Sequence, residues 1–338
     1  MLWGKRLAAA ALITAACYGV SVVLHDNVIE YVVRILLLCG INAILAVGLN
    51  LINGTTGQFS IGHAGFMAVG AYATAFSVIA LEDGLFPGQA GALPFASGAL
   101  VFNGALLVGA LCAAVFGLVV GVPTLRLRGD YLAIVTLGFG EILRLLFTNA
   151  VFLGGATGYS GGRPLGLPTY TNFFWVSTWT ILLVLLVGNF TFSSYGRALR
   201  AIREDEIAAE AMGIPTTRFK VLAFVLSAAS AGIAGGLFAH LQSTIRPDDF
   251  KFDRSIDMVV MIIVGGLGSV TGAITGAEFV SITLELMRDF QQYRLVVYAL
   301  MLVLIMLFRP QGAFGRHEIG ALLRLRRKRP APPGPGVR

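Results

Sequence analysis

Apolar runs of about the length a bilayer core demands recur from one end of this chain to the other. The sequence places ten of them, near 7–25, 31–52, 61–80, 99–122, 131–150, 175–191, 221–241, 256–268, 271–287 and 293–308. No soluble core accommodates this pattern. Of the 338 residues, 56% are hydrophobic and only 13% are charged, roughly half the charged share of a soluble domain. Lipid offers the backbone no hydrogen bonds, so each run has to satisfy its own amides as a helix. The 42 glycines suit helices that approach each other closely in such a medium. The expected fold is therefore an all-α integral membrane protein of about ten transmembrane helices.

Two places along this pattern need a decision. Lys5 and Arg6 followed by the apolar stretch 7–24 have the outline of a signal peptide, but further spans follow at once, so a first transmembrane helix is expected. Residues 256–287 are too long for one upright helix and too short for two full ones. Gly265, Gly266, Gly268 and Ser269 sit between the halves and form a candidate helix break, with short or broken helices on either side. Charge arbitrates the count. With ten spans and a cytoplasmic N-terminus, segments 1–6, 53–60, 123–130, 192–220, 269–270 and 309–338 lie inside and hold 17 of the 25 Lys and Arg residues. One crossing at 256–287 would instead put the basic tail outside, against the positive-inside bias. Both termini are expected in the cytoplasm.

The same clustering accounts for the net charge of +7 without nucleic acid. The chain divides into a transmembrane domain, 1–308, and a basic, Pro/Gly-rich tail, 309–338, expected to be disordered and to meet anionic lipid headgroups. Cys17, Cys39 and Cys112 all fall inside apolar runs with no metal-ligand spacing, so no metal site is expected.

One stretch does not belong in lipid. Residues 195–220 carry five basic and four acidic side chains, each costing about 2.5–3.5 kcal/mol at the centre of a membrane helix. The segment nevertheless reads as folded: Ser194 is a candidate N-cap, Asp205 a candidate cap for a second short helix from Glu206, and Gly213 with Pro215 a stop signal. It is either a solvated connector or a docking element for a cytoplasmic partner. For docking, Ala208, Ala209 and Gly213 permit close approach, and Arg197, Arg200, Arg203, Glu204, Asp205 and Glu206 set register.

Polar residues inside the spans are the other candidates. Asn50, Asn53, Gln58, Ser60 and His63 form a glycine-rich link between the second and third spans. They either line a path or gate, or serve as ordinary loop chemistry with His63 bonded to a backbone carbonyl. Glu141 and Arg144 share a face of the fifth span, as a functional pair or as a structural one. Glu278 and Glu285 in the ninth span keep a proton-coupled carrier open as an alternative. The mixed-charge stretch 246–254 is a candidate outer docking loop.

Several stretches together resemble the LivM-type permeases of branched-chain amino acid ATP-binding cassette importers. They are NLING at 50–54, GQFSIGHAGF at 57–66, LRGDYLAIVTLGFGE at 127–141, GRALRAIREDEIAAEAMGI at 196–214, GGLGS at 265–269 and RPQG at 309–312. The importer signature of Glu-Ala-Ala, three residues, then Gly is imperfect, since Ile207, Ala208 and Ala209 occupy its first places and Glu206 stands one residue early. The resemblance implies a vitamin B12-type (type II) importer permease fold, and a 192–220 loop that couples to ATPase subunits. It also implies a second homologous permease, two cytoplasmic ATPases carrying the ATP and Mg, a periplasmic amino-acid-binding protein and a bacterial inner-membrane location. Related permeases for urea and short amides share the pattern, so substrate choice stays open. The chain lacks a G-x-x-x-x-G-K-[ST] phosphate loop, its one Gly-Lys pair being Gly4-Lys5, and is read as a non-catalytic subunit without a cofactor of its own.

Overall fold

The second apolar run folds as α1, Glu30–Asn50, and does not stop where the sequence turns polar. Its axis continues through a π-helical turn, Leu51–Thr56, and ends at Gly57 in the left-handed conformation, φ 72°. The link after the second span is thus part helix. Wide turns of this kind are uncommon and mark functional sites in many proteins. The computed structural model describes residues 29–85, 95–125, 131–163 and 166–290, with residue 19 and a few isolated positions between 293 and 312. The expected first span, most of the tenth and the tail lie outside the described residues.

Four more long helices follow: α2 (His63–Leu85), α3 (Phe95–Thr124), α4 (Tyr131–Asn149) and α5 (Phe173–Phe192). Two short ones come next, α6 (Ser194–Glu204) and α7 (Glu206–Ala211), and then the long α8 (Thr216–Gln242). A 3-10 turn, Pro247–Phe250, leads into α9 (Phe252–Gly265) and α10 (Val270–Leu286). Among the described residues six helical stretches are long and apolar enough to cross a membrane, namely α1 with its π turn, α2, α3, α4, α5 and α8. The fold is an all-α integral membrane bundle.

Small residues let the central helices touch. A Cβ on Gly70 would lie 2.2 Å from the Gly232 Cα, and one on Gly235 2.0 Å from the Met67 carbonyl oxygen, so α2 and α8 meet backbone to backbone. Gly109 of α3 lies as closely against Thr74. Side-chain packing and short-range dispersion carry such contacts in lipid, where the hydrophobic effect between helices is weak. Phe66, Phe102 and Phe224 fill the remaining space and are fully buried, with Phe66 edge-on to Phe224 at 5.4 Å. By contrast α4 keeps Ile134, Ile142, Leu145 and Leu146 exposed at the bundle surface.

The doubtful 256–287 region is two helices. α9 has 14 residues and α10 has 17, about 21 and 26 Å at 1.5 Å per residue. They pack antiparallel, since Gly265 faces Gly272 and Gly276 faces Met261. The turn between them uses Gly266 at φ 118° and Gly268 at φ 89°, values that L side chains rarely adopt. Ser269 then caps α10, its side chain accepting from the Gly272 amide. The break expected from glycine spacing is present.

Contacts sort by end of the bundle. At one end lie the π turn, the α6–α7 hairpin and the α9–α10 turn. At the other, the 3-10 turns after α4 (Val151–Leu153 and Gly155–Thr157) lead to Tyr159, which pairs with Ile245. Arg163 binds Glu82 and Asp83 there, and the Tyr170 hydroxyl donates to Glu82. The stretch 246–254, expected as an outer docking loop, keeps Arg246, Asp248, Lys251, Phe252 and Asp253 exposed and is anchored in the bundle by the rest. Pro247 and Phe250 are buried, and Arg254 reaches back to donate to Asn42 in the middle of α1 at 2.8 Å.

Candidate functional site

The hairpin of α6 and α7 is built from local signals. Ser193, rather than Ser194, caps α6, its hydroxyl accepting from the Tyr195 and Gly196 amides; Ser194 is the first helical residue. Asp205 ends α6 and caps α7, accepting from Ile207 and Ala208. Gly213 at φ 82° closes α7, with its amide bonded to the Glu210 carbonyl and that of Ile214 to the Ala209 carbonyl, a Schellman ending that favours glycine. Gly196, Leu199 and Ile202 turn one face of α6 into the bundle. Burying Leu199 and Ile202 contributes about 1.5–3 kcal/mol each. The opposite side of the hairpin stays outside, with Glu204, Asp205, Ala208, Gly213, Ile207 and Met212 exposed.

Three ties hold the hairpin to the rest of the bundle. Glu206 pairs with Lys220 at 2.6 Å, where the lysine side chain is 2% exposed, and Thr216 donates to Glu210 at 2.7 Å. Both fix α7 to the start of α8. Glu206, the acid one place early in the importer signature, is therefore bound to its own chain. The third tie is longer in reach. Arg203 donates through Nη1 to the Gly54 carbonyl oxygen inside the π turn, at 2.6 Å. Arg197 and Arg200 stay local, the first donating to Ser194 and the second to the Gly196 and Thr191 carbonyls.

At Gly54 the three separate sequence motifs meet. Asn50 donates to the Ser269 carbonyl at 3.0 Å and accepts from the Gly268 amide at 2.8 Å. A Cβ on Gly54 would fall 2.4 Å from that same Gly268 nitrogen. Arg203 flanks both, for a Cβ on Gly268 would lie 3.1 Å from its Nη1 and one on Gly57 would lie 2.7 Å from its Cγ. The end of α1, the α9–α10 turn and the polar hairpin form one junction. An arginine is suited to it, because its planar fork serves several acceptors at once without losing charge.

A second polar layer lies directly behind. Asn53 bonds Ser60 both ways, donating to its carbonyl at 3.3 Å and accepting from its amide at 3.1 Å, which folds 57–62 back into the bundle. Gln58 is half-buried on this return. The Ile61 amide donates to Thr136 and the Ala64 amide to Ser255, so α4 and α9 join the layer. His63 opens α2 at 1% exposure. Neither ring nitrogen has a protein partner among the described residues, and nor does the Ser60 hydroxyl. The backbone carbonyl expected for His63 is not there. Leaving such groups unpaired costs about 1–3 kcal/mol each. Glu141 and Arg144 form the expected pair at 2.7 Å, and Arg144 also approaches Asp248 at 3.7 Å, tying α4 to the inward 3-10 turn.

Sequence reasoning missed Lys220, Thr136, Ser255, Arg254, and the Asn42–Ser281 bond at 2.8 Å. Lys220 had a visible signal, a cation on the first turns of an apolar run. The others are single polar residues whose partners are distant in sequence. Among the described residues no cluster of His, Cys, Asp and Glu is placed to hold a metal.

A bundle of membrane-crossing helices, one of them carried on by a π turn, with a folded polar hairpin bonded to that turn, has the architecture of a polytopic α-helical membrane protein. The chain belongs to the family described as branched-chain amino acid transport system / permease component, whose model matches residues 31–308. It is 38% identical over 299 residues to the high-affinity branched-chain amino acid transport system permease protein LivM of Salmonella typhimurium, covering 80% of this chain and 66% of that one. The LivM protein of Escherichia coli is similar to the same extent. The LivH permease protein of Escherichia coli is 27% identical over 298 residues, covering 82% of this chain and 92% of that one. This chain thus spans 66% of the length of its LivM relatives. No solved structure matches it.

Proposed function

We propose that this chain is a permease subunit of an ATP-driven importer that moves branched-chain amino acids across a bacterial inner membrane by alternating access. The observation that carries the reading is the Arg203–Gly54 bond, because it runs from an exposed polar hairpin straight into the π turn that extends a membrane-crossing helix. In the proposed mechanism the hairpin faces the cytoplasm, with both chain termini on that side. Two partner ATPases, holding the ATP and Mg, close on Ile207, Ala208 and Met212. Their closure pushes α6 and α7, and the push reaches the junction of Asn50, Gly54, Gly268 and Ser269. A second homologous permease completes the path, a periplasmic amino-acid-binding protein delivers solute at the far end, and lipid surrounds the bundle. The names of the relatives support the substrate class and the presence of two permease types.

Physical chemistry supports the same division of labour. Broken helices are tolerated at membrane depth where their freed backbone faces protein or a water-filled cavity. The packing of the junction and the Ser60–His63 layer against protein supports a reading in which their backbone bends as a gate. A ligand-free lever of this kind supplies no chemistry; it transmits a conformational free energy made elsewhere.

The test is uptake by vesicles carrying the assembled complex. Leucine accumulation should need ATP, the partner ATPases and the binding protein, and excess urea should not compete. Uptake by this chain alone, driven by an ion gradient, would remove the importer reading. Competition by urea at leucine-like concentrations would move the substrate to small amides.

A further inference from the structure

Between α1, α5 and α10 lies a groove of about 450 Å³ lined by Leu36, Cys39, Val176, Ser177, Thr180 and Glu278 among others. The volume falls within the range of small-molecule pockets. Glu278 is the central residue of α10, about 12 Å from either helix end at 1.5 Å per residue. Its position is unusual for a carboxylate. Glu285, two turns further on, is met by the Tyr31 hydroxyl at 2.8 Å and by Arg288 at 3.2 Å. Glu278 has no such partner among the described residues and faces the groove. Glu278 is exposed into it; an acidic side chain within a membrane helix costs about 2.5–3.5 kcal/mol on insertion scales and characteristically faces protein, water or solute.

The groove's other polar atoms are matched to one kind of ligand. The Ser177 hydroxyl donates to the Phe174 carbonyl at 3.0 Å, and the Thr180 hydroxyl donates to the Val176 carbonyl at 2.7 Å. Each has committed its only proton and is left with lone pairs. Glu278 adds a carboxylate. The three side chains therefore offer acceptors and no donor, which complements an ammonium with three N–H groups and repels an anion. Leu36, Val176, Ile181 and Ile282 form an aliphatic wall around them.

We infer that the α1–α5–α10 groove is a solute-binding site that takes the protonated primary amine of a small aliphatic molecule on Glu278, Ser177 and Thr180. Its occupant is the transported amino acid, held by its ammonium end with its side chain on the aliphatic wall and its carboxylate toward the open mouth. This assignment rests on the permease reading and adds to it the place and polarity of substrate contact.

Ile282 lines the groove and is 47% exposed, so a thiol introduced there reports on occupancy. In the full complex reconstituted in vesicles, with I282C in a background of C17S, C39S and C112S, the alkylation rate of the introduced thiol by a small reagent is measured with and without solute. Leucine at about ten times its dissociation constant should slow labelling about tenfold, as occupancy leaves roughly a tenth of sites free. Isoamylamine, which lacks the carboxylate, should protect as well; isocaproate, which lacks the amine, should not. E278Q should abolish protection by leucine and isoamylamine, and E278D should keep part of it. Equal protection by isocaproate, full protection in E278Q, or an introduced thiol left unreactive because other protein seals the groove each overturns the assignment. So does absence of protection in vesicles that accumulate leucine, an outcome that leaves the permease reading intact. Vesicles that show no ATP-dependent leucine uptake defeat that reading itself.

Discussion

Replacing Arg203 with alanine tests the junction where it is narrowest. The Nη1 atom stands 2.6 Å from the Gly54 carbonyl oxygen, and the arginine is half-buried against Gly57 and Gly268. A hydrogen bond from a charged donor contributes about 1.5–3 kcal/mol. If that bond links hairpin movement to the helix break, its loss removes coupling free energy of the same size, and the ratio of leucine taken up to ATP hydrolysed falls roughly 10- to 150-fold. R203K, a point donor on a flexible stem, should lie between. R203E should be at least as severe as alanine, because it sets a carboxylate against a carbonyl oxygen. The assay is uptake and phosphate release measured together in vesicles, with membrane insertion checked by immunoblot. The expected signature is ATP hydrolysis that persists while uptake collapses. Normal uptake per ATP in R203A at normal expression would refute the reasoning, and so would equal loss of both, which points to failed assembly.

Other consequences follow from the same contacts. G54A drives a methyl to within 2.1 Å of Asn50 Oδ1; overpacking of this kind costs about 1–3 kcal/mol, so the detergent-solubilised protein should melt several degrees lower, and an unchanged melting point would contradict the packing. K220A strips the buried lysine from Glu206; Glu206 stays partly exposed, so the loss should be about 1–3 kcal/mol, below that of a fully buried pair, and K220M with E206L should recover much of it in the same melt. At the far end burial, then the bond to Glu82, push the Tyr170 phenol above its ordinary value of 10.0. The folded state then holds the phenolic proton more tightly than the unfolded one, so this stability is intact below about pH 10 and is lost as pH rises further. Melting followed from pH 9 to 12 should show that loss in the wild type and less of it in Y170F.

Local features were readable from the residues alone. Asp205 capping a second helix, Gly213 ending it and the glycine turn at 265–269 need only a side chain and its immediate neighbours, and all three are present. The N-cap moved by one because consecutive serines at 193 and 194 offer the same hydroxyl, and the extended backbone of Ser193 decides. Apolar run length located α1 to α5 and α8, since lipid imposes that length whatever packs around it. What the chain concealed is convergence. Asn50, Arg203 and Ser269 meet although they are far apart in sequence, and no periodicity couples them. Stretch 246–254 reads as an outer loop because its charges dominate, and those of Arg246, Asp248, Lys251 and Asp253 are exposed; what the charges hid is that Pro247 and Phe250 are buried and anchor it. The polar link after Asn50 looked like a loop because Asn and Gly favour turns, whereas the tertiary bonds of Asn50 and Arg203 hold it as a π turn.

The account stands on the α6–α7 hairpin being the face that meets the cytoplasm. Met212, at the C-terminal end of α7, is 83% exposed, so M212C in a background lacking Cys17, Cys39 and Cys112 reports the hairpin's side directly. A membrane-impermeant thiol reagent should label it in inside-out vesicles and leave it untouched in intact cells. Labelling in intact cells, with inside-out vesicles unreactive, would put the hairpin on the outer side and contradict the topology together with the proposed transmission through Arg203.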